Sequence, residues 1–156
     1  MLILKKDNAQ YFEQINLLAS KIVWLKKNER PYVLLLAGLE RESLSYLAED
    51  LYHTIAKQGL KVSLSFLCSN DLANNDIDWD HELNIIYLDD TLNNPHLASV
   101  ASFIDSAILV VNSAFTKRST ALKAVELLKR FGVKVSGSLL HNYKEKVPSL
   151  FRRIFF

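Results

Sequence analysis

Gly38-Leu-Glu-Arg-Glu-Ser43 stands between an apolar run, Tyr32-Val-Leu-Leu-Leu-Ala37, and a helical stripe of Leu44, Leu47, Ala48, Leu51 and Ile55. A loop that leaves a strand and opens a helix is where free backbone N–H groups and the helix dipole converge on an anion. The chemistry that suits such a place is phosphate binding. It calls for glycines, so that backbone can approach the phosphate, and for a lysine to supply charge. This loop has one glycine and no lysine, and it carries two carboxylates, Glu40 and Glu42. Like charges ~4 Å apart repel by about 4 kcal/mol per pair under an effective dielectric of about 20. Arg41 offsets only part of that. The loop keeps the position of a nucleotide site and lacks its chemistry.

Other residues with chemical potential group less well. Asp76, Asp78 and Asp80 alternate as in a calcium loop, but the required glycine is absent and Tyr87 falls where the closing glutamate belongs. Ser69 to Asp80 therefore reads as a solvated polar loop. His53, His81, His96 and His141 share no ligand spacing, which makes surface histidines the expectation and a metal site not one. Ser43 and Ser45 have no visible base to activate a nucleophile. Lys117 and Arg118 open a helix, where cations oppose the dipole, and read as an exposed, solvated pair. Cys68 reads as a small hydrophobe at a strand end.

The elements that must position the loop follow from periodicity. Asp7 with Gln10 reads as a capped helix start, and Tyr11, Ile15, Leu18, Ile22 and Leu25 give that helix one apolar face. Pro31 ends the polar stretch before the first strand, Tyr32–Ala37. Gly59 supplies a left-handed cap, and Val62–Phe66 alternates as a second strand. Asn84–Leu88 is a third strand, running into Asp89-Asp90-Thr91. Asn94 reads as a cap with Pro95 at the first helical position, ahead of buried Leu97, Val100, Ala101 and Ile104. Ala107–Val111 is a fourth strand. A helix from Thr116 to Phe131 turns Ala121, Leu122, Val125 and Leu128 inward and is capped by Gly132. Val133–Leu140 is a fifth strand. Strands alternating with helices predict an α/β fold: one three-layer domain over residues 1–156, with a five-stranded, mainly parallel sheet and helices on both faces.

Composition bounds the rest. With 156 residues, 49% hydrophobic and 23% charged, the chain can bury a core without metal or disulfide help. Nineteen basic against 17 acidic residues give a net charge of +2, too small to imply nucleic acid or a membrane surface. One cysteine excludes an internal disulfide and suits a reducing compartment. Met1-Leu-Ile-Leu4 is too short for a signal sequence, and no apolar run approaches the roughly 20 residues of a membrane span. A cytoplasmic location is expected.

The stretch Phe103-Ile-Asp-Ser-Ala-Ile-Leu-Val-Val111 and its continuation through Ala121-Leu-Lys-Ala-Val-Glu-Leu-Leu-Lys-Arg-Phe-Gly-Val-Lys-Val-Ser-Gly137 resembles the cytoplasmic domain of bacterial tyrosine kinases, the BY-kinases. Those kinases and their exopolysaccharide-synthesis relatives belong to the deviant Walker group of P-loop proteins, with the MinD and ParA ATPases as cousins. Tyr11-Phe-Glu-Gln-Ile-Asn-Leu-Leu18 is similar to the family's helix before the first strand. The resemblance covers most of the chain except residues 68 to 82, where the family has a longer connection.

Aligned on Ala56-Lys-Gln-Gly59, the family's phosphate-gripping "GEGKST" falls on Arg41, Glu42, Ser43, Leu44, Ser45 and Tyr46. Both glycines are replaced and the lysine position holds Leu44. The family's second acid falls on Phe66. Its third acidic motif is half kept as Asp89-Asp90-Thr91, with Leu92 and Asn93 in place of two prolines. The asparagine that commonly meets the base falls on His141. The oligomerising glutamate and two arginines of the first helix fall on Glu13, Asn16 and Ala19, and the tyrosine-rich tail is missing. Without lysine or phosphate cradle, Asp89 and Asp90 are expected to serve capping and turns rather than magnesium.

The resemblance therefore implies a catalytically inactive, BY-kinase-like protein with no bound cofactor. It would be an interaction or regulatory subunit in bacterial exopolysaccharide or capsule biosynthesis. Its expected partner is a polysaccharide co-polymerase or another membrane-associated assembly protein, which would hold it peripherally at the inner membrane. Self-association would have to be independent of nucleotide. The alternatives are a MinD- or ParA-like positioning protein and an atypical nucleotide-binding tyrosine kinase that uses Asp89 and Asp90. At the end of the chain, Leu150, Phe151, Ile154 and Phe155 share one helical face, with Arg152 and Arg153 turned away. That face is expected to pack on the protein's own sheet. The sharper reading docks Phe151, Arg152, Arg153, Phe155 and Phe156 on the partner.

Overall fold

The computed structural model describes residues 2–4, 9–26, 31–40, 44–67, 80–112 and 114–141. Asp7, Arg41, Glu42, Ser43, Cys68, the polar stretch through Asp76 and Asp78, and the end with Phe151, Arg152, Arg153, Phe155 and Phe156 lie outside them. Strands β1 (Leu2–Leu4), β2 (Tyr32–Gly38), β3 (Val62–Leu67), β4 (Leu83–Leu88), β5 (Ser106–Asn112) and β6 (Val135–His141) form one sheet. Their order is β1-β6-β5-β2-β4-β3, and every pairing is parallel. Helices α1 (Ala9–Leu25), α2 (Ser45–Lys57), α3 (Leu97–Val100) and α4 (Arg118–Arg130) connect them.

β2 and β4 are buried almost along their whole length, as expected of strands covered on both faces. One apolar layer joins α1 and α2 to the sheet through Ile15, Ile22, Leu47, Leu51, Leu34 and Ile85. The other joins α3 and α4 to the opposite face through Leu97, Ala124, Leu128, Val33, Leu35 and Leu109. The expected α/β sandwich is present. Gly59 and Gly132 end α2 and α4 with φ of 87° and 78°, the left-handed geometry that a side chain would strain.

Four local expectations are corrected. The sheet has a sixth strand, β1, read from sequence only as too short for a signal. Three residues carry no periodicity, and β1 exists because Leu2, Ile3 and Leu4 pair with Leu139, Leu140 and His141. The helix after Pro95 is one α-turn followed by a 3₁₀ turn, Ala101–Phe103. Asn94 is not its cap. It is buried, its side-chain amide donates to the carbonyls of Leu67 and Asp89, and its Oδ1 accepts from the His96 N–H. Finally, α4 begins at Arg118 because Thr116 closes a turn on Asn112, and its inward residue is Ala124 rather than Leu122, which is 53% exposed.

Candidate functional site

In an open α/β sheet the crevice lies beyond the C-terminal ends of the strands, where successive crossovers leave in opposite directions. Here that point is the end of β2. α2 carries the chain from β2 to β3 at one edge, while the connection after β4 carries it past β2 to β5. Gly38, the start of α2 and Asp89-Asp90-Thr91 therefore meet at one place.

Tyr87 organises it. The residue is 1% exposed and lies on β4, in register with Leu36 on β2 and Phe66 on β3. A tyrosine in an aliphatic strand needs a partner for its hydroxyl. Here the hydroxyl oxygen accepts from the Leu44 backbone N–H at 2.8 Å. Leu44 is the N-cap of α2, so the phenol satisfies one of the donors that a helix start leaves open. Gly38 makes room for it: a Cβ there would lie 2.9 Å from the Tyr87 hydroxyl and 3.0 Å from the Leu88 carbonyl oxygen. The glycine at this loop thus gives close approach to a phenol.

Of the positions assigned by resemblance, Leu44 and Phe66 adjoin that phenol. The Leu44 side chain is 6% exposed and joins the apolar layer of Leu47, Ala48 and Leu51. Phe66 packs against the same layer, its ring 6.1 Å from that of Tyr87 and inclined at 59°. Ser45 is partly buried in the first turn of α2. Tyr46 reaches across to β6, where its hydroxyl lies 2.9 Å from Nε2 and 3.0 Å from Nδ1 of His141. His141 is 6% exposed, which corrects the expectation of a surface histidine. Its ring meets that of Tyr46 edge-on, with centroids 5.7 Å apart.

Asp89 and Asp90 lie in the bend that follows β4. Asp90 adopts φ of 42°, a left-handed conformation that aspartate tolerates better than most residues. Its Oδ1 accepts from the Asn93 side chain and its N–H donates to the Glu40 carbonyl. Thr91 donates to the Gly38 carbonyl twice, from its N–H at 2.9 Å and from Oγ1 at 2.8 Å. The Asp89 carbonyl accepts from Asn94. These bonds tie the turn after β4 to the loop after β2. Among the described residues no three His, Cys, Asp or Glu side chains gather as a metal site.

Beside the site, α1 is fastened to α2 by the Tyr11 hydroxyl, which donates to Asp50 Oδ2 at 2.6 Å. Burial, reinforced by that carboxylate, pushes the Tyr11 phenol far above its ordinary range. On α1, Glu13 and Asn16 face outward while Ala19 is fully buried. The position that the resemblance matches to the second arginine therefore lies in the core. Periodicity did not single out Tyr87 as a site residue. The available signal was a large polar-tipped side chain inside an otherwise apolar strand.

No protein-family model matches the chain, and no curated protein matches its sequence. Solved structures do. The kinase domain of the Escherichia coli tyrosine kinase ETK superposes with a TM-score of 0.72 at 14% identity, covering 87% of this chain and 77% of that one. The chimeric protein CapA2B2 superposes at 0.69 with 13% identity, covering 92% and 93%. The VpsO kinase domain superposes at 0.60 with 14% identity, covering 86% and 97%. No described helix is long and apolar enough to cross a membrane. The chain has the fold of the bacterial tyrosine kinase domains.

Proposed function

We propose that residues 1–156 form a single degenerate P-loop domain, a BY-kinase-like pseudoenzyme that binds no nucleotide and works through contact with another protein. The observation that carries this reading is the Tyr87 hydroxyl on the Leu44 N–H, 2.8 Å away. A phosphate-binding helix start leaves such donors open to its ligand. Here a side chain of the protein takes one, above a glycine whose free space that hydroxyl occupies. Leucine and phenylalanine stand where the resemblance assigns lysine and the second acid, and both pack into the core. These residues do not fit a magnesium–nucleotide complex.

The setting we assign is exopolysaccharide or capsule assembly, with a polysaccharide co-polymerase or similar membrane-associated protein as partner. The protein would then lie in the cytoplasm against the inner membrane. Phe151, Arg152, Arg153, Phe155 and Phe156 are the residues assigned to that contact. Calorimetry with ATP and Mg²⁺ tests the central claim, and no saturable heat is expected. Micromolar binding, or tyrosine phosphorylation abolished by Asp90→Ala, overturns it in favour of an atypical kinase that uses Asp89 and Asp90.

A further inference from the structure

The small net charge of this chain hides an asymmetry. Residues 114–134 hold six basic side chains, Lys117, Arg118, Lys123, Lys129, Arg130 and Lys134, against one acid, Glu126. That is +5 inside a chain whose net charge is +2, so the remaining residues sum to −3. All six cations are exposed. α4 explains the arrangement, because Ala124 and Leu128 are its fully buried residues and fix which side meets the sheet. At about 3.6 residues per turn, Arg118, Lys129, Arg130 and Lys123 then fall, with Leu122 and Glu126, in an outward arc of about 140°.

These cations do not serve the helix. Lys117 and Arg118 stand at its N-terminus, where positive charge opposes the dipole. The first turn has no acid to offset them, and the N-cap makes no side-chain hydrogen bond. Among the described residues none of the six forms an ion pair, and the pair Lys26–Glu82 lies elsewhere. Bulky apolar side chains also stand out at the start, middle and end of this segment: Phe115 is 66% exposed, Leu122 53% and Phe131 41%.

Shape and charge together select the partner. The outward side of a helix is a convex ridge, and the charge here runs the length of α4, about 20 Å. Peptide ligands are held in grooves or along sheet edges, where a few contacts are fixed. A ridge of dispersed cations with protruding apolar tips complements a flat anionic surface instead. Lys and Arg are drawn to anionic lipid, and apolar side chains enter between the headgroups. We propose that the outer face of α4 docks this protein directly on anionic phospholipid headgroups. The contact is peripheral, and it depends neither on nucleotide nor on a protein partner.

Flotation of the full chain with lipid vesicles tests it. Binding is expected to vesicles of phosphatidylcholine with about one-third phosphatidylglycerol, and not to phosphatidylcholine alone. It should weaken as salt shortens the screening length from about 10 Å at 0.1 M to about 3 Å at 1 M. Lys123→Gln, Lys129→Gln and Arg130→Gln together should weaken it about 100-fold, at about fivefold per cation. All three are exposed, so the melting temperature should stay within a few degrees of the parent. The same charge removed elsewhere, by Lys21→Gln, Lys57→Gln and Lys61→Gln, should weaken binding less than about threefold. Absence of flotation with the anionic vesicles overturns the inference. So does an equal loss from the two triple variants, which would leave only net charge at work. Retention on polyglutamate or on duplex DNA without flotation gives the face to an acidic protein or to nucleic acid, and overturns the lipid assignment.

Discussion

Leu44→Lys is the substitution that a nucleotide-site interpretation of this loop would choose as a repair, and it is expected to fail on both counts. Leu44 is 6% exposed and packs with Leu47, Ala48 and Leu51 under the first turn of α2. Burying a leucine is worth about 1.5–3 kcal/mol, and the lysine stem recovers part of that while its ammonium reaches for water. A cation at a helix start then opposes the dipole by about 0.3–1 kcal/mol. The net loss is about 1.5–3 kcal/mol. At this chain length each kcal/mol lowers the melting temperature by about 2–4 °C, so a fall of roughly 3–12 °C is expected. No ATP affinity should appear, because the Leu44 N–H remains bonded to Tyr87 and the glycines remain absent. Thermal melts followed by circular dichroism, with calorimetry on the same preparations, read both quantities. A variant that melts within about a degree of the parent and binds ATP–Mg²⁺ at micromolar concentration would refute the reasoning. The side chain at 44 would then face a phosphate site rather than the core.

Gly38→Ala should destabilise by about 1–3 kcal/mol in urea unfolding, since the added methyl meets the Leu88 carbonyl and a hydroxyl already held by Leu44. Tyr11→Phe should cost about 1.5–3 kcal/mol at neutral pH by removing a 2.6 Å bond to a carboxylate. The folded Tyr11 phenol ionises above the ordinary value of 10.0, so its contribution is intact below pH 10 and is lost as pH climbs beyond it; Tyr11→Phe should flatten that alkaline loss. Glu82 accepts from Lys26 Nζ at 2.6 Å and from the Lys61 N–H, in that order of influence, and both hold its carboxyl below the ordinary 4.5. Its stabilising effect is present above pH 4.5 and lost as pH falls through the lowered value. The difference in thermal midpoint between the parent and Glu82→Gln should therefore vanish in acid.

Much of this fold was legible because its signals are local. The stripe from Leu44 to Ile55 and the runs at Tyr32 and Asn84 each declare an element within ten or so residues. Gly59 and Gly132 each need no partner to take a positive φ. What escaped depends on distant pairing. β1 becomes a strand only through residues near position 140, and the phase of α4 was misjudged because Leu122 is more apolar than Ala124 but lies off the packing seam. His141 looked exposed because its partner, Tyr46, is 95 positions away. The site divides in the same way. Arg41, Ser43 and Leu44 are visible in the letters, whereas the Tyr87 phenol on the Leu44 N–H is a contact across 43 residues.

On the proposed reading, that contact separates two ways of losing a site. Removal of ligands alone would leave an open loop with a helix donor exposed, and one or two substitutions would return function. In this protein the Tyr87 hydroxyl bonds the Leu44 N–H, lies over Gly38, and belongs to a ring packed on Phe66. Thr91 then pins the carbonyl of that glycine from the other side. Each group holds another in place, so the loop contributes to the stability of the fold. On the proposed reading, a return to nucleotide binding needs changes at Leu44, Phe66 and Tyr87 together, and each alone costs packing before it gains a ligand. Selection for a stable surface that a partner can grip, with no requirement for turnover, would keep such an arrangement.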